Sequence, residues 1–470
     1  MPGFAYCPYC GKPLGEGMAF CPYCGKKLPI TSSTIEEKPA PAPKKIEPVG
    51  VAGDVLTRVD PNLTKIVVPT GVKIIESGVF RGNKVIREVV LPEGLLEIGR
   101  SAFSNCINLS RINLPSSLRI IGEKAFSSCS SITSLSFGSN LHLLGEGAFS
   151  GCNKLESASF YSSLESLPSS LFEGCTALRE VMIPEGPSEV ASSTFLGCSS
   201  LTTIYLPTSI KKVSPSAFEK LPITSISLKG VETIGEKAFS FCKNLSKVDL
   251  GYSPKLTKIG KSAFYHCESL TSFTFPSSLT RIEDQAFFGS GLTSVSLGNN
   301  ITYIGDAFSS TKITSFSVPL KCANNAKVAY CKNLRQISFP YGMTTIPDLA
   351  YCSNPCLSSL SLPSTITSIG SGAFQNDTSL TSVTIPDGVT KIDMATFYKC
   401  SSLTSVYLGR GVRQIAVDSF YGCPNLTLYV SMSRLEMFNS HAWLTPKYYQ
   451  IKAIKCSDGY YDEEYYRSRF

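Results

Sequence analysis

Residues 98–118 read IGRSAFSNCINLSRINLPSSL, and the same order of residue types returns about every 23 positions along most of the 470-residue chain. The clearest marker is a phenylalanine preceded by alanine and followed three positions later by cysteine, as in Ala102, Phe103 and Cys106. Phe80, Phe103, Phe126, Phe149, Phe172, Phe195 and Phe218 stand 23 residues apart. Phe239, Phe264, Phe287, Phe308, Phe374, Phe397 and Phe420 continue with steps of 20 to 25 once Val328 and Leu349 are placed at the Phe position of two degenerate turns. A fixed period in the twenties over sixteen units predicts a solenoid, in which no unit buries its apolar face without its neighbours.

Within the unit, LxxIxLP alternates apolar and polar residues at period 2 and predicts a short strand, with Leu109, Ile112 and Leu114 inward and Arg111 and Asn113 outward. Pro115 ends it. Ile98, Ala102 and Phe103 face inward from the other wall of a flattened coil, with Gly99 at a turn. Identical coils pair their strands at about 4.8 Å per turn, so the expected fold class is a β-rich solenoid with one long parallel sheet.

Ahead of the repeats, residues 7–25 read CPYCGKPLGEGMAFCPYCG. Cys7, Cys10, Cys21 and Cys24 form two CxxC pairs on identical CPYCG turns, where Gly11 and Gly25 supply the positive φ that lets both sulfurs face one ion. A closed set of four cysteines leaves no position open for substrate, so the expected cofactor is structural Zn²⁺. So small a module buries too little to fold by itself, and the metal must supply most of its folding free energy. A redox CxxC would need a thioredoxin-like setting, which is missing. Residues 29–50 hold five prolines among mixed charges and are expected to be an extended spacer.

These two patterns resemble known families. Residues 4–28 resemble the short prokaryotic zinc ribbon with its repeated CPxCG knuckles, and about residues 55–454 resemble the BspA-type leucine-rich repeat, which implies a leucine-rich-repeat superhelix. Many members of that family sit on microbial surfaces and bind proteins or host matrix, so the resemblance implies a binding role. Residues 426–454 resemble the family's C-terminal end, where Leu435, Phe438 and Trp443 would cover the last apolar face. Surface members normally carry an export signal, whereas this chain begins MPGFAYC, with no basic region followed by an apolar one. The expected organisation is a ribbon at 1–28, a linker at 29–50, repeats at 51–425, a cap at 426–454 and a tail at 455–470.

Cysteine count sharpens the compartment. Eighteen cysteines in so long a chain are too sparse for a secreted disulfide scaffold, and with no apolar run long enough for a membrane helix the default is the cytoplasm, a surface location remaining open. Eleven follow the Phe position by three: Cys106, Cys129, Cys152, Cys175, Cys198, Cys242, Cys267, Cys331, Cys352, Cys400 and Cys423. They should stack as small buried thiols, because an in-register ladder points Cβ atoms in parallel rather than toward one another, with some pairing under oxidation as the alternative. Cys322 and Cys356 fall in irregular units, where worn loop positions compete with a second metal site. Cys456 lies past the cap as a free thiol.

Function is less legible. His142, His266 and His441 make no metal-spaced pair, and metalloprotease, P-loop, dinucleotide and nucleophile-elbow motifs are absent, so no enzyme is expected. The net charge of +8 is spread along the chain. Lys12, Lys26 and Lys27 are too few to favour nucleic acid. Outward strand positions are mostly Ser and Thr, which suits a solvated sheet face. A protein-binding face would use the larger exceptions, Arg111, Glu180, Met182, Tyr205, Lys247, Asp249 and Tyr407, since aromatic and Arg side chains carry most contact energy. The expected role is therefore a non-enzymatic scaffold for a protein partner, tethered to the ribbon, with an exported adhesin as the alternative.

Overall fold

A computed structural model describes Tyr6, residues 10–12, Lys26 and residues 48–460 except 162, 253 and 437–451. The chain divides into two units, Met1–Glu47 and Pro48–Phe470. The second is a solenoid of about 17 turns with little helix.

Each regular turn has three walls. Outward-and-inward alternation in LxxIxLP gives the first, a row of parallel strands such as Ser134–Phe137, Ser157–Phe160, Glu180–Met182 and Thr203–Tyr205. Their register is residue for residue, with Ser157 beside Ser134 and Val181 beside Ile204. Two-residue strands ending in the buried apolar residue of the IG pair form the second, including Glu97–Ile98, Ile120–Ile121 and Leu143–Leu144. The single expected sheet is thus two parallel rows, because each turn offers two extended stretches separated by corners. Gly99 is needed for closeness rather than for a turn: a Cβ there would lie 2.7 Å from the Ile75 carbonyl oxygen of the preceding turn.

The third wall carries the marker phenylalanines. Ser101 (φ 52°) and Asn105 (φ 60°) flank Phe103 in the left-handed region. That alternation aims three N–H groups, of Ser101, Phe103 and Asn105, at the carbonyls of Glu123, Ala125 and Ser127 on the following turn, each at 2.8 Å. The next turn repeats this with Lys124, Phe126 and Ser128 donating to Glu146, Ala148 and Ser150. Phe rings stack behind this wall, with Phe103 and Phe126 at 5.0 Å and Phe397 and Phe420 at 5.6 Å between centroids. These rings are fully buried. Such stacks add about 0.5–1.5 kcal/mol per pair beyond burial.

Cysteines of the ladder donate S–H to the carbonyl of the Phe one turn back: Cys106 to Phe80 at 3.0 Å, Cys152 to Phe126 at 3.1 Å, Cys423 to Phe397 at 3.2 Å. No ladder cysteine is in a disulfide, as the parallel Cβ geometry requires.

Two expected register positions change. Val328 does occupy the Phe position, its N–H donating to Ala350. In the following turn the position belongs to Tyr351 rather than Leu349: Tyr351 N–H donates to Ala373, its ring stacks on Phe374 at 6.1 Å, and Leu349 and Ser353 are its left-handed flanks. Leu349 itself is half exposed. Cys352 therefore leaves the ladder, and Asn354 fills its slot.

Both ends are closed by antiparallel pairs. Val49–Ala52 pairs with Val55–Val59 at the start of the second wall, and Gly459–Tyr460 pairs with Ala453–Cys456 at the end of the first. Cys456 is thereby a buried residue of the last strand but one rather than a thiol beyond the cap. Leu435 is half exposed. Phe438 and Trp443 lie outside the described residues.

Candidate functional site

The first wall's outer face holds every expected binding residue, and the structure sorts them. Arg111 is engaged within the sheet: Glu88 takes Lys65 Nζ on one oxygen and Arg111 Nη2 on the other, each at 2.6 Å. Those two cations hold the Glu88 carboxyl below its ordinary range, the Lys65 bond contributing most. Asp249 accepts the Gly251 N–H at 2.9 Å and meets Lys229 at 3.4 Å, so it serves its own corner, and Lys247 stands exposed on the same strand. Tyr407 stacks on Tyr429 at 4.6 Å near the C-terminal end, where Lys455 sits 5.7 Å over the Tyr429 ring.

Glu180, Met182 and Tyr205 come together across two adjacent strands. Met182 and Tyr205 are register partners on adjacent strands, 64% and 51% exposed. Sequence reasoning misses their neighbours. Tyr161, 71% exposed, takes the slot that proline fills in regular copies, and Phe160 beside it stacks on Phe137 at 4.7 Å. With Pro184 and Pro207 these side chains line a shallow depression of about 490 Å³. A search for aromatics displacing the strand-ending proline would find Tyr161. Carboxylates stand on this surface, Glu180 on the strand and Glu185, whose Oε1 accepts the Thr208 N–H at 3.3 Å, at the corner.

The hydroxyls that bond from turn to turn are not those on the face. They sit one residue before a strand, as where Ser110 donates to Arg87 at 3.3 Å, Ser246 to Thr224 at 3.1 Å and Thr404 to Thr381 at 3.2 Å, or at the corners, as where Ser117 donates to Leu95 at 2.8 Å. The face serines are therefore left to solvent or a ligand.

Of the four expected zinc ligands, Cys10 is described; it is exposed on a turn, and Gly11 after it has φ 68°, the left-handed knuckle expected of CPYCG. Cys7, Cys21 and Cys24 lie outside the described residues. Among the described residues, no group of three or more His, Cys, Asp or Glu side chains is placed to hold a metal. Burial pushes the Cys106 and Cys152 thiols up to about 12, so these ladder positions supply no thiolate. No helix among the described residues is long and apolar enough to cross a membrane.

Residues 3–28 match a zinc-ribbon domain profile. No curated protein matches the chain. Among solved structures, a leucine-rich repeat protein from Bacteroides ovatus is 22% identical over 87% of this chain and 91% of its own, with a TM-score of 0.40. A leucine rich cell surface protein from Faecalibacterium prausnitzii is 24% identical over 86% and 90%, with a TM-score of 0.34. The leucine rich repeat protein of T. pallidum is 24% identical over 48% and 89%, with a TM-score of 0.31. Overlapping segments from residue 58 to residue 448 match the profile of the BspA type leucine rich repeat region, and the chain belongs to that family.

Proposed function

We propose that the chain is a non-enzymatic scaffold that binds a protein partner through the outer face of its first wall, centred on Tyr161, Met182 and Tyr205. The observation that carries this reading is the adjacency of those three exposed side chains on a face otherwise dressed in short hydroxyls. Large rigid side chains lose little entropy on contact and dominate interface energies. On this reading the ribbon is a second module: thiolates of Cys7, Cys10, Cys21 and Cys24 would hold Zn²⁺, which supplies cross-linking and folding free energy rather than catalysis. The left-handed Gly11 fits that role. The compartment that suits unpaired ladder thiols is a reducing one, the cytoplasm.

The test compares partner capture by the intact chain with capture by Met182→Ser and Tyr205→Ala chains and by a chain lacking residues 1–50. Loss in both point variants with retention in the truncation supports the face. Equal capture by the variants overturns it, and loss only on truncation transfers the role to the ribbon.

A further inference from the structure

A second concavity lies where the repeat loses its length. Phe287 to Phe308 is a step of 21 residues, and Phe308 to Val328 is 20. At the corner three residues before the Phe position, successive turns present Lys261, Asp284, Gly305, Asn325 and Asp348. Gly305 breaks this column of side chains. It has φ 44°, and a Cβ on it would run into Asp284 Oδ1, so no other residue fits without displacing that carboxylate. The gap opens a cleft of about 480 Å³.

The cleft is built from polar groups that are positioned but not saturated. Asp284 Oδ1 accepts the Tyr303 hydroxyl at 2.6 Å, which raises the Tyr303 pKa to about 12. Asp306 Oδ1 accepts the Gln285 N–H at 2.9 Å, a side chain standing in for the carbonyl that the shortened turn lacks. Each carboxylate thus has one oxygen fixed, and the other makes no hydrogen bond among the described residues. Asn325 Oδ1 is buried with no partner. Lys261 and Lys327 also line the cleft and make no ion pair among the described residues. Lys327 is anchored there by its backbone, which donates to the Gly305 carbonyl at 2.7 Å. The one aromatic ring of the lining is already covered, because Arg281 lies 4.4 Å over Tyr303.

Such a lining selects by hydrogen bonding rather than by charge or apolar contact. Two carboxylates and two ammoniums cancel, which disfavours a simple anion or cation. Unused acceptors on Asp284 and Asp306 call for a ligand rich in donors, and the lysines call for acceptors on the same molecule. Hydroxyl groups meet both demands at every position. We propose that the cleft around Gly305 binds a neutral saccharide unit, a site separate from the Tyr161, Met182 and Tyr205 face.

Saturation-transfer NMR on the full chain tests this, with glucose, galactose, mannose, N-acetylglucosamine and lactose as the probes. At least one probe should receive saturation. Asp306→Asn and Lys327→Gln should each weaken it about tenfold, the loss of one hydrogen bond to a charged group, while Tyr205→Ala leaves it unchanged. Thermal melts matching the wild type exclude unfolding as the cause, and Lys261→Gln, at an exposed position, gives a further variant if either fails to fold. Absence of transfer to all five probes, transfer untouched by the cleft variants, or tighter binding of glycine or Ca²⁺ than of any sugar would overturn the assignment.

Discussion

Asn354 Nδ2 donates to the carbonyl of Val328 at 3.0 Å, the bond that Cys331 makes to Phe308 at 3.4 Å one turn earlier. An amide thus continues the thiol ladder, and it also reaches the Tyr351 carbonyl at 2.5 Å. Replacing Asn354 by Leu removes these donors in a side chain of similar reach, and stability should fall by about 1–3 kcal/mol. Asn354→Cys restores the usual donor and should lose less. Urea midpoints at constant slope measure both; equal losses would show that the amide's bonds contribute nothing.

One turn further, Asp377 stands in the same slot, fully buried. Its Oδ1 accepts the Asn354 N–H at 2.7 Å, and Oδ2 has no partner. Burial pushes this carboxyl well above the usual carboxylate range, with the Cys352 and Cys400 thiols, themselves raised, as the titratable groups facing it. Because the unfolded chain releases the proton near its ordinary pKa while the folded chain holds it, stability is full at low pH. It declines as pH rises above about 4 toward the folded value. Asp377→Cys and Asp377→Asn should flatten that decline and stabilise the chain at neutral pH by about 1–3 kcal/mol. Denaturation followed from acid to neutral pH checks the sign, and a wild-type curve no steeper than that of either variant would refute it.

Phe172 packs between Phe149 at 5.6 Å and Phe195 at 5.8 Å. Phe172→Ala should cost about 3–5 kcal/mol. In a stacked array the loss is borne by nearest neighbours, so amide exchange should accelerate most in the turns around residues 149–218. Uniform acceleration along the solenoid would contradict nearest-neighbour coupling.

Thiol chemistry should separate sharply by burial. Cys106, Cys152, Cys198, Cys242 and Cys423 are pushed up to about 12 and should resist disulfide reagents at pH 8, whereas half-buried Cys356 reacts early. In denaturant with chelator, all 18 cysteines should titrate. Fewer would reveal disulfides. Chelation alone should release one zinc per chain and leave the solenoid's melting temperature unchanged, read by metal dye and far-UV dichroism; absence of released zinc would refute the four-cysteine site.

Much of this architecture is legible in the period. The Phe103 and Cys106 positions follow from counting, since a repeated core residue must repeat its neighbours. Counting misplaces Leu349 for a physical reason: the corner is defined by left-handed residues on both sides of the Phe position, and nothing in a leucine announces φ 54°. With Cys352 next to Tyr351, three-residue spacing from Leu349 leads to the wrong slot. Candidate binding residues are legible as exceptions to Ser and Thr, but which exceptions meet depends on rung distance. Arg111 lies three strands from Glu180, and its charge is answered by Glu88, one strand away.

The third wall carries an electrical polarity of its own. In its regular turns the N–H groups at and around the Phe position point toward the following turn and the accepting carbonyls point back, as from Phe103 to Ala125 and on from Phe126 to Ala148. Peptide dipoles of about 3.5 D therefore add along the stack instead of cancelling as they do across a sheet. In an α-helix the positive pole lies at the N-terminus; here the amide end is the last turn, so the polarity is reversed. Along the second wall the bonds run the other way, as from Gly99 to Ile75 and from Gly122 to Ile98, so each end of the array is amide-rich on one wall and carbonyl-rich on the other.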